Sequence, residues 1–111
     1  MCGRYSLLTG EEEREIRDIV VVVSRKYPDM KMKTGEIFPT NTAPVLIGGA
    51  SRLEPEPLAW GFPSFQSKGV IINARAETAE QKKMFQESLL KRRCVIPTTG
   101  FYEWKQEASK Q

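Results

Sequence analysis

A cysteine directly follows the initiating methionine in Met1-Cys2-Gly3-Arg4-Tyr5. Removal of Met1, which the small Cys2 side chain permits, leaves Cys2 with a free α-amine and a thiol on adjacent carbons. A vicinal aminothiol condenses with an aldehyde to an imine, and the thiol then closes the imine to a five-membered thiazolidine. An internal cysteine has no free amine and cannot do this. Ordinary pKa values of about 8.5 for the thiol and about 8 for the α-amine leave both nucleophiles partly available near neutral pH. The plain alternative is that Cys2 is a small apolar residue in a first strand. From the residues alone, the reaction partner is no more than an aldehyde.

The composition narrows the chemistry further. The chain has 111 residues and no histidine. Histidine-based triads, histidine–metal motifs and histidine acid–base pairs are therefore excluded within it. Two cysteines without histidine make none of the usual zinc sites, so no metal and no cofactor is expected. With no secretion signal, Cys2 and Cys94 read as thiols in a reducing compartment rather than as a disulfide. A net charge of +3 tolerates a nucleic-acid partner without demanding one. The longest apolar run, Ile19 to Val23, is far too short to cross a membrane. Hydrophobic content of 40% and charged content of 28% fit one small soluble domain with a modest core.

These residues need elements to position them. Residues 2–8 read as a short strand. Thr9-Gly10-Glu11-Glu12 has the form of a capping box, with Thr9 as N-cap. Ile16, Ile19, Val20, Val23 and Tyr27 then give an apolar stripe at helical spacing, although the valines are poor helix formers. Val45-Leu46-Ile47 reads as a buried strand, Gly48 to Ser51 as a hairpin turn, and Leu53 to Trp60 as an edge strand carrying Pro55 and Pro57. Val70 to Ile72 is a short strand. A second, basic helix is expected over roughly 79–92, with Met84, Phe85, Ser88 and Leu89 on one face. Cys94 to Ile96, with Cys94 as a buried thiol, and Phe101 to Trp104 complete the strands. The class is α+β.

Four segments put a polar or reactive group beside aromatic or glycine residues at strand ends: Cys2-Gly3-Arg4, Trp60-Gly61-Phe62-Pro63, Asn73 to Thr78, and Gly100-Phe101-Tyr102-Glu103-Trp104. With Asn41-Thr42-Ala43-Pro44 and Arg92-Arg93-Cys94, and in this order, they closely resemble the SRAP (SOS response-associated peptidase) family of abasic-site-processing proteins. The resemblance runs over nearly the whole chain. It implies mostly antiparallel strands in a partly open, barrel-like sheet flanked by two helices. It also implies a DNA-damage function, the shielding of abasic sites in single-stranded DNA. The open-chain sugar of such a site is an aldehyde, which the residue matching Cys2 captures as a thiazolidine.

The resemblance assigns roles to the matched positions. Asn73 would position the reacting sugar, and Glu103 would shuttle protons. Arg4 and Arg75 suit phosphate, because arginine stays charged and pairs bidentately with it; surface ion pairing is the bland alternative. Trp60, Phe62 and Pro44 could contact bases, or could simply be core. Gly3 and Asn41 join the DNA-binding set by the same match. Lys82, Lys83, Lys91, Arg92 and Arg93 give the second helix a basic face. Two other readings stay open: a thiol peptidase acting on itself or other chains with Cys2 as N-terminal nucleophile, and a non-covalent binder of single-stranded nucleic acid.

The match departs from the family in one respect. The family domain continues past the Gly-Phe-Tyr-Glu-Trp strand and there carries a catalytic histidine absent from these 111 residues. Residues 1–111 are therefore expected to be the N-terminal part of an SRAP domain, with the remaining half or a second copy as a partner. With no targeting signal, the default location is the bacterial cytoplasm, near the nucleoid; a nuclear one stays open.

Overall fold

The computed structural model describes residues 3–64, 66 and 68–102. Cys2 and Glu103, two of the three residues expected to do chemistry, lie outside the described residues. The elements run in the order β1 (Tyr5–Leu7), α1 (Arg14–Lys26), β2 (Gly35–Ile37), β3 (Thr42–Gly48), β4 (Leu53–Ala59), β5 (Phe62–Pro63), β6 (Val70–Ile71), α2 (Lys83–Lys91), β7 (Cys94–Val95) and β8 (Gly100–Phe101). All strand pairs are antiparallel, in three open sheets ordered β2-β1-β8, β4-β3-β7 and β5-β6. This is the expected α+β class, and no closed barrel forms among the described residues.

The β3–β4 hairpin is the longest pairing, running from Thr42↔Ala59 to Gly48↔Leu53. Its turn closes with the Gly49 N–H donating to the Arg52 carbonyl at 2.7 Å. β4 lies at the edge of its sheet, as Pro55 and Pro57 require, because proline cannot donate to a further strand. The strand expected to begin at Val45 begins at Thr42 instead. Pro44 is thereby drawn into it and is fully buried.

The core lies where β1, β2 and β3 meet: Tyr5, Leu7, Ile37 and Ala43 are buried together, with Ile16 of α1 and Trp60 packed against them. The helical stripe behaves as its period predicts except at Tyr27, which caps the helix and is exposed. Val23 is fully buried, Ile16, Ile19 and Val20 are half-buried, and Val21 and Val22 face outward. The valines are helical despite their low propensity, because burial of one face outweighs a few tenths of a kcal/mol per residue.

Several boundaries differ from expectation. α1 starts at Arg14 with Glu13 as N-cap and no side-chain cap bond, so the Thr9 capping box does not form. The reason is local. The Glu13 N–H donates to the Gly10 carbonyl at 2.9 Å, closing a turn where the first helical turn was expected. Likewise α2 starts four residues late. Thr78 and Ala79 donate back to the Arg75 carbonyl in a separate turn, and Lys82 is extended before the helix begins. Cys94 is exposed rather than buried, because β7 is a two-residue edge strand with no described element beyond it.

Candidate functional site

The site begins where β1 pairs with β8. The register Tyr5↔Phe101 and Ser6↔Gly100 continues as the Tyr102 N–H donates to the Arg4 carbonyl at 3.3 Å. A hydroxyl network secures this register. The Ser6 and Thr99 hydroxyls are 2.8 Å apart, and the Thr99 N–H donates to the Ser6 carbonyl at 2.9 Å. Thr98 Oγ1 accepts from the Gly100 N–H at 3.0 Å and lies 2.7 Å from the Gly100 carbonyl. Gly3 and Tyr102 are the chain neighbours of Cys2 and Glu103, and they stand at the same end of this strand pair.

Arg4 is held within an aromatic and acidic setting. Its guanidinium carbon is 4.5 Å from the Tyr102 ring centroid and 5.8 Å from that of Phe38. Its Nη1 is 3.7 Å from Glu36 Oε2. Gly3 is exposed and has open space where a side chain would be.

The loop before β3 fastens Trp60 beside this strand pair. The Asn41 N–H donates to the Phe38 carbonyl at 3.0 Å, closing a turn in which Thr40 has φ of 78°. A positive φ at the third residue of a turn, directly after a proline, is the form of a type II turn, usually made by glycine. Asn41 Oδ1 accepts the Phe38 N–H at 2.8 Å, so this side chain shapes the loop. Backbone bonds from Thr40 to Trp60 and from Trp60 to Asn41, at 2.9 and 3.0 Å, then tie the loop to the end of β4. The half-buried Trp60 ring packs on Tyr5, with centroids 5.5 Å apart. Burial, and secondarily the Cys94 charge, push the Tyr5 phenol above its ordinary pKa.

Beyond Trp60 the chain turns at Gly61, whose φ of 114° is closed to most side chains. A Cβ there would stand 2.7 Å from Val70 Cγ2. That close approach sets β5 against β6, and β6 leads directly into Asn73 and Arg75. Both are exposed and line a cleft of about 450 Å³ together with Ser64, Gln66, Ile71 and Lys82. Phe62 stands edge-on to the buried Phe85 at 5.1 Å and keeps 37% of its surface exposed.

Asn73 and Arg75 thus share one cleft, and Gly3 and Arg4 share one strand end. Trp60 connects the two regions through Tyr5 on one side and Gly61 on the other. Pro44 stands apart from both as an interior residue. A contact with a base, expected for it from sequence, is not open to a fully buried ring. Sequence reading missed Glu36, Phe38 and the Thr98–Thr99 hydroxyls. The Thr-Thr pair before Gly100 was the available signal. Among the described residues, no helix is long and apolar enough to cross a membrane, and no group of three or more metal-ligating side chains occurs.

A family model described as SOS response associated peptidase (SRAP) matches residues 1–111. The abasic site processing protein YoqW of Bacillus subtilis (strain 168) is 34% identical over 95% of this chain and 48% of its own length. The abasic site processing protein YoaM of the same strain is 32% identical over 99% of this chain and 50% of its own length. The abasic site processing protein YedK of Escherichia coli (strain K12) is 28% identical over 100% of this chain and 51% of its own length. The chain thus spans about half the length of the curated relatives it matches. No solved structure matches it significantly. With the family model covering every residue, the chain belongs to the SRAP family.

Proposed function

We propose that this chain is the N-terminal half of an abasic-site-processing domain that captures the open-chain sugar aldehyde in single-stranded DNA through Cys2. The reaction balances with loss of one water. The α-amine of Cys2, freed by removal of Met1, adds to the aldehyde carbon. The carbinolamine so formed loses its hydroxyl as water to give an imine. The thiol sulfur then adds to the imine carbon, and its proton passes to the nitrogen. Glu103 supplies the proton for water departure, and Asn73 orients the sugar by hydrogen bonding. Arg4 and Arg75 take flanking phosphates, and Trp60 and Phe62 offer rings to neighbouring bases. Removal of Met1 is the only peptide-bond cleavage this reading needs.

The observation that carries the proposal is the β1–β8 register. Gly3 and Tyr102, each one residue from a proposed reactive group, emerge at one strand end with Arg4 between them. The names of the relatives supply the substrate class.

Intact mass spectrometry after incubation with a single-stranded oligonucleotide bearing one abasic site tests it. The expected product is Met1-less protein plus oligonucleotide minus one water, stable to heat and absent from Cys2→Ala. A Cys2→Ala protein that binds and crosslinks as well as the parent would overturn the aminothiol role. Salt-sensitive binding with no covalent product, even with the other half of a relative supplied, would favour the non-covalent reading.

A further inference from the structure

Glu36 has no role in the capture chemistry, yet its carboxylate is aimed. It sits on β2 opposite Ser6 of β1, diagonal to Arg4 two residues along. One carboxylate oxygen, Oε1, accepts the Tyr102 hydroxyl at 3.1 Å. The other, Oε2, faces Arg4 Nη1 at 3.7 Å. Tyr102 is itself bound to Arg4 twice, by its backbone N–H and by its ring face under the guanidinium. The carboxylate is therefore steered by a neutral donor into the guanidinium that the capture reading assigns to DNA. Both side chains remain open to solvent, Arg4 at 40% and Glu36 at 48%. A phosphodiester and a carboxylate seek the same guanidinium edge by the same charge-assisted geometry. They also repel each other, so they cannot share it freely.

We propose that Glu36 is a built-in competitor for backbone phosphate at Arg4. DNA that takes this edge of Arg4 exchanges carboxylate for phosphate, with the displaced Glu36 kept near by the Tyr102 hydroxyl. The exchange lowers affinity for strands that offer phosphate alone. An abasic strand adds the covalent step, which intact DNA lacks. The inference rests on Arg4 being a DNA contact, as proposed above.

Exposed ion pairs are worth up to about 1 kcal/mol, which sets the scale at about two- to fivefold in affinity. The probe is an unmodified single-stranded oligonucleotide, titrated by fluorescence anisotropy across a salt series. The proteins are the parent, Glu36→Gln, Arg4→Ala and the double variant. Glu36→Gln keeps an oxygen for Tyr102 and removes only the charge. It is expected to bind about two- to fivefold tighter, with a log–log salt slope steeper by up to about 0.7, the value of one single-strand phosphate contact. In the Arg4→Ala background the same change should give no gain. Unchanged or weaker binding by Glu36→Gln overturns the proposal, as does an equal gain without Arg4, which would mark a general charge effect. Equal binding by the parent and Arg4→Ala removes Arg4 from the DNA contacts, and this inference falls with that part of the capture reading.

Discussion

A carbinolamine loses water only when a proton reaches its hydroxyl, and Glu103 is the residue proposed to deliver it. General acid catalysis contributes roughly 10²–10⁴-fold. Glu103→Gln should therefore slow crosslinking to an abasic strand by at least about 100-fold, while its affinity for the same strand before reaction changes by less than about twofold. Timed quenching on a denaturing gel and anisotropy read the two quantities separately. Equal loss of both would make Glu103 a binding residue rather than a proton donor. Cys2, Asn73, Arg75 and Glu103 are proposed from sequence through the family motifs that hold them, and Cys2 and Glu103 lie outside the described residues. Glu36 could not. It lies 32 positions from Arg4 in a three-residue strand without pattern, and only the Ser6↔Glu36 register brings the two near. Pro44 misled for the opposite reason. Proline signals a loop, but the β3–β4 hairpin pairs it with Pro57 and buries it.

The longer elements were legible where periodicity had length to act on. The α1 stripe places Val23 inward as its spacing requires. β6, β7 and β8 start within about one residue of where the sequence places them, whereas the short strands β2 and β5 carry too little sequence for alternation to show, and the expected start of α1 fails because the Gly10 turn competes with the Thr9 cap. One feature of α1 escaped sequence entirely. Its last turn is clasped to β4, with Lys26 Nζ donating to Glu56 Oε2 at 2.7 Å and to the Pro55 carbonyl at 2.9 Å. The Tyr27 hydroxyl donates to Glu56 Oε1 at 2.8 Å. The Lys26 bond first, and the Tyr27 bond second, hold the Glu56 carboxyl below its ordinary value of 4.5. The Glu56 bond in turn raises Lys26 above 10.5. A depressed carboxyl stabilises the fold above its unfolded pKa and loses that contribution as pH falls through the folded value. A raised lysine stabilises below its unfolded pKa and loses its share as pH climbs past the folded value. Denaturant midpoints should therefore fall below about pH 4.5 and above about pH 10.5. Glu56→Gln should flatten both limbs while lowering the midpoint modestly at pH 7. Limbs as steep in Glu56→Gln as in the parent would place the titration elsewhere.

Among the described residues much apolar surface is exposed for a molecule of this size. Its radius of gyration is 16.0 Å, against about 13 Å for a compact domain of this length. Leu90 is 74% exposed, Phe101 66%, Val95 50% and Ile96 48%. Leu90 also lines a hollow of about 500 Å³ with Ile47, Leu58 and Cys94, beside the outer edge of β7, which no other strand pairs among the described residues. The two sheet edges are treated differently. β4 is blunted by Pro55 and Pro57, whereas neither residue of β7 is a proline or a charge. An apolar hollow next to a strand edge left unpaired among the described residues favours association with another polypeptide. The chain alone should therefore self-associate at tens of micromolar, read by sedimentation velocity, and bind an apolar dye while folded. Leu90→Ser separates surface from core. Because Leu90 is mostly exposed, the change should shift folding stability by no more than about 0.5 kcal/mol while weakening association severalfold. Adding the half of a relative that this chain does not match should displace self-association and quench the dye. A strictly monomeric chain that ignores the dye would mean that this surface is tolerated as ordinary exposure. A Leu90→Ser protein that unfolds outright would mean that Leu90 belongs to the core after all.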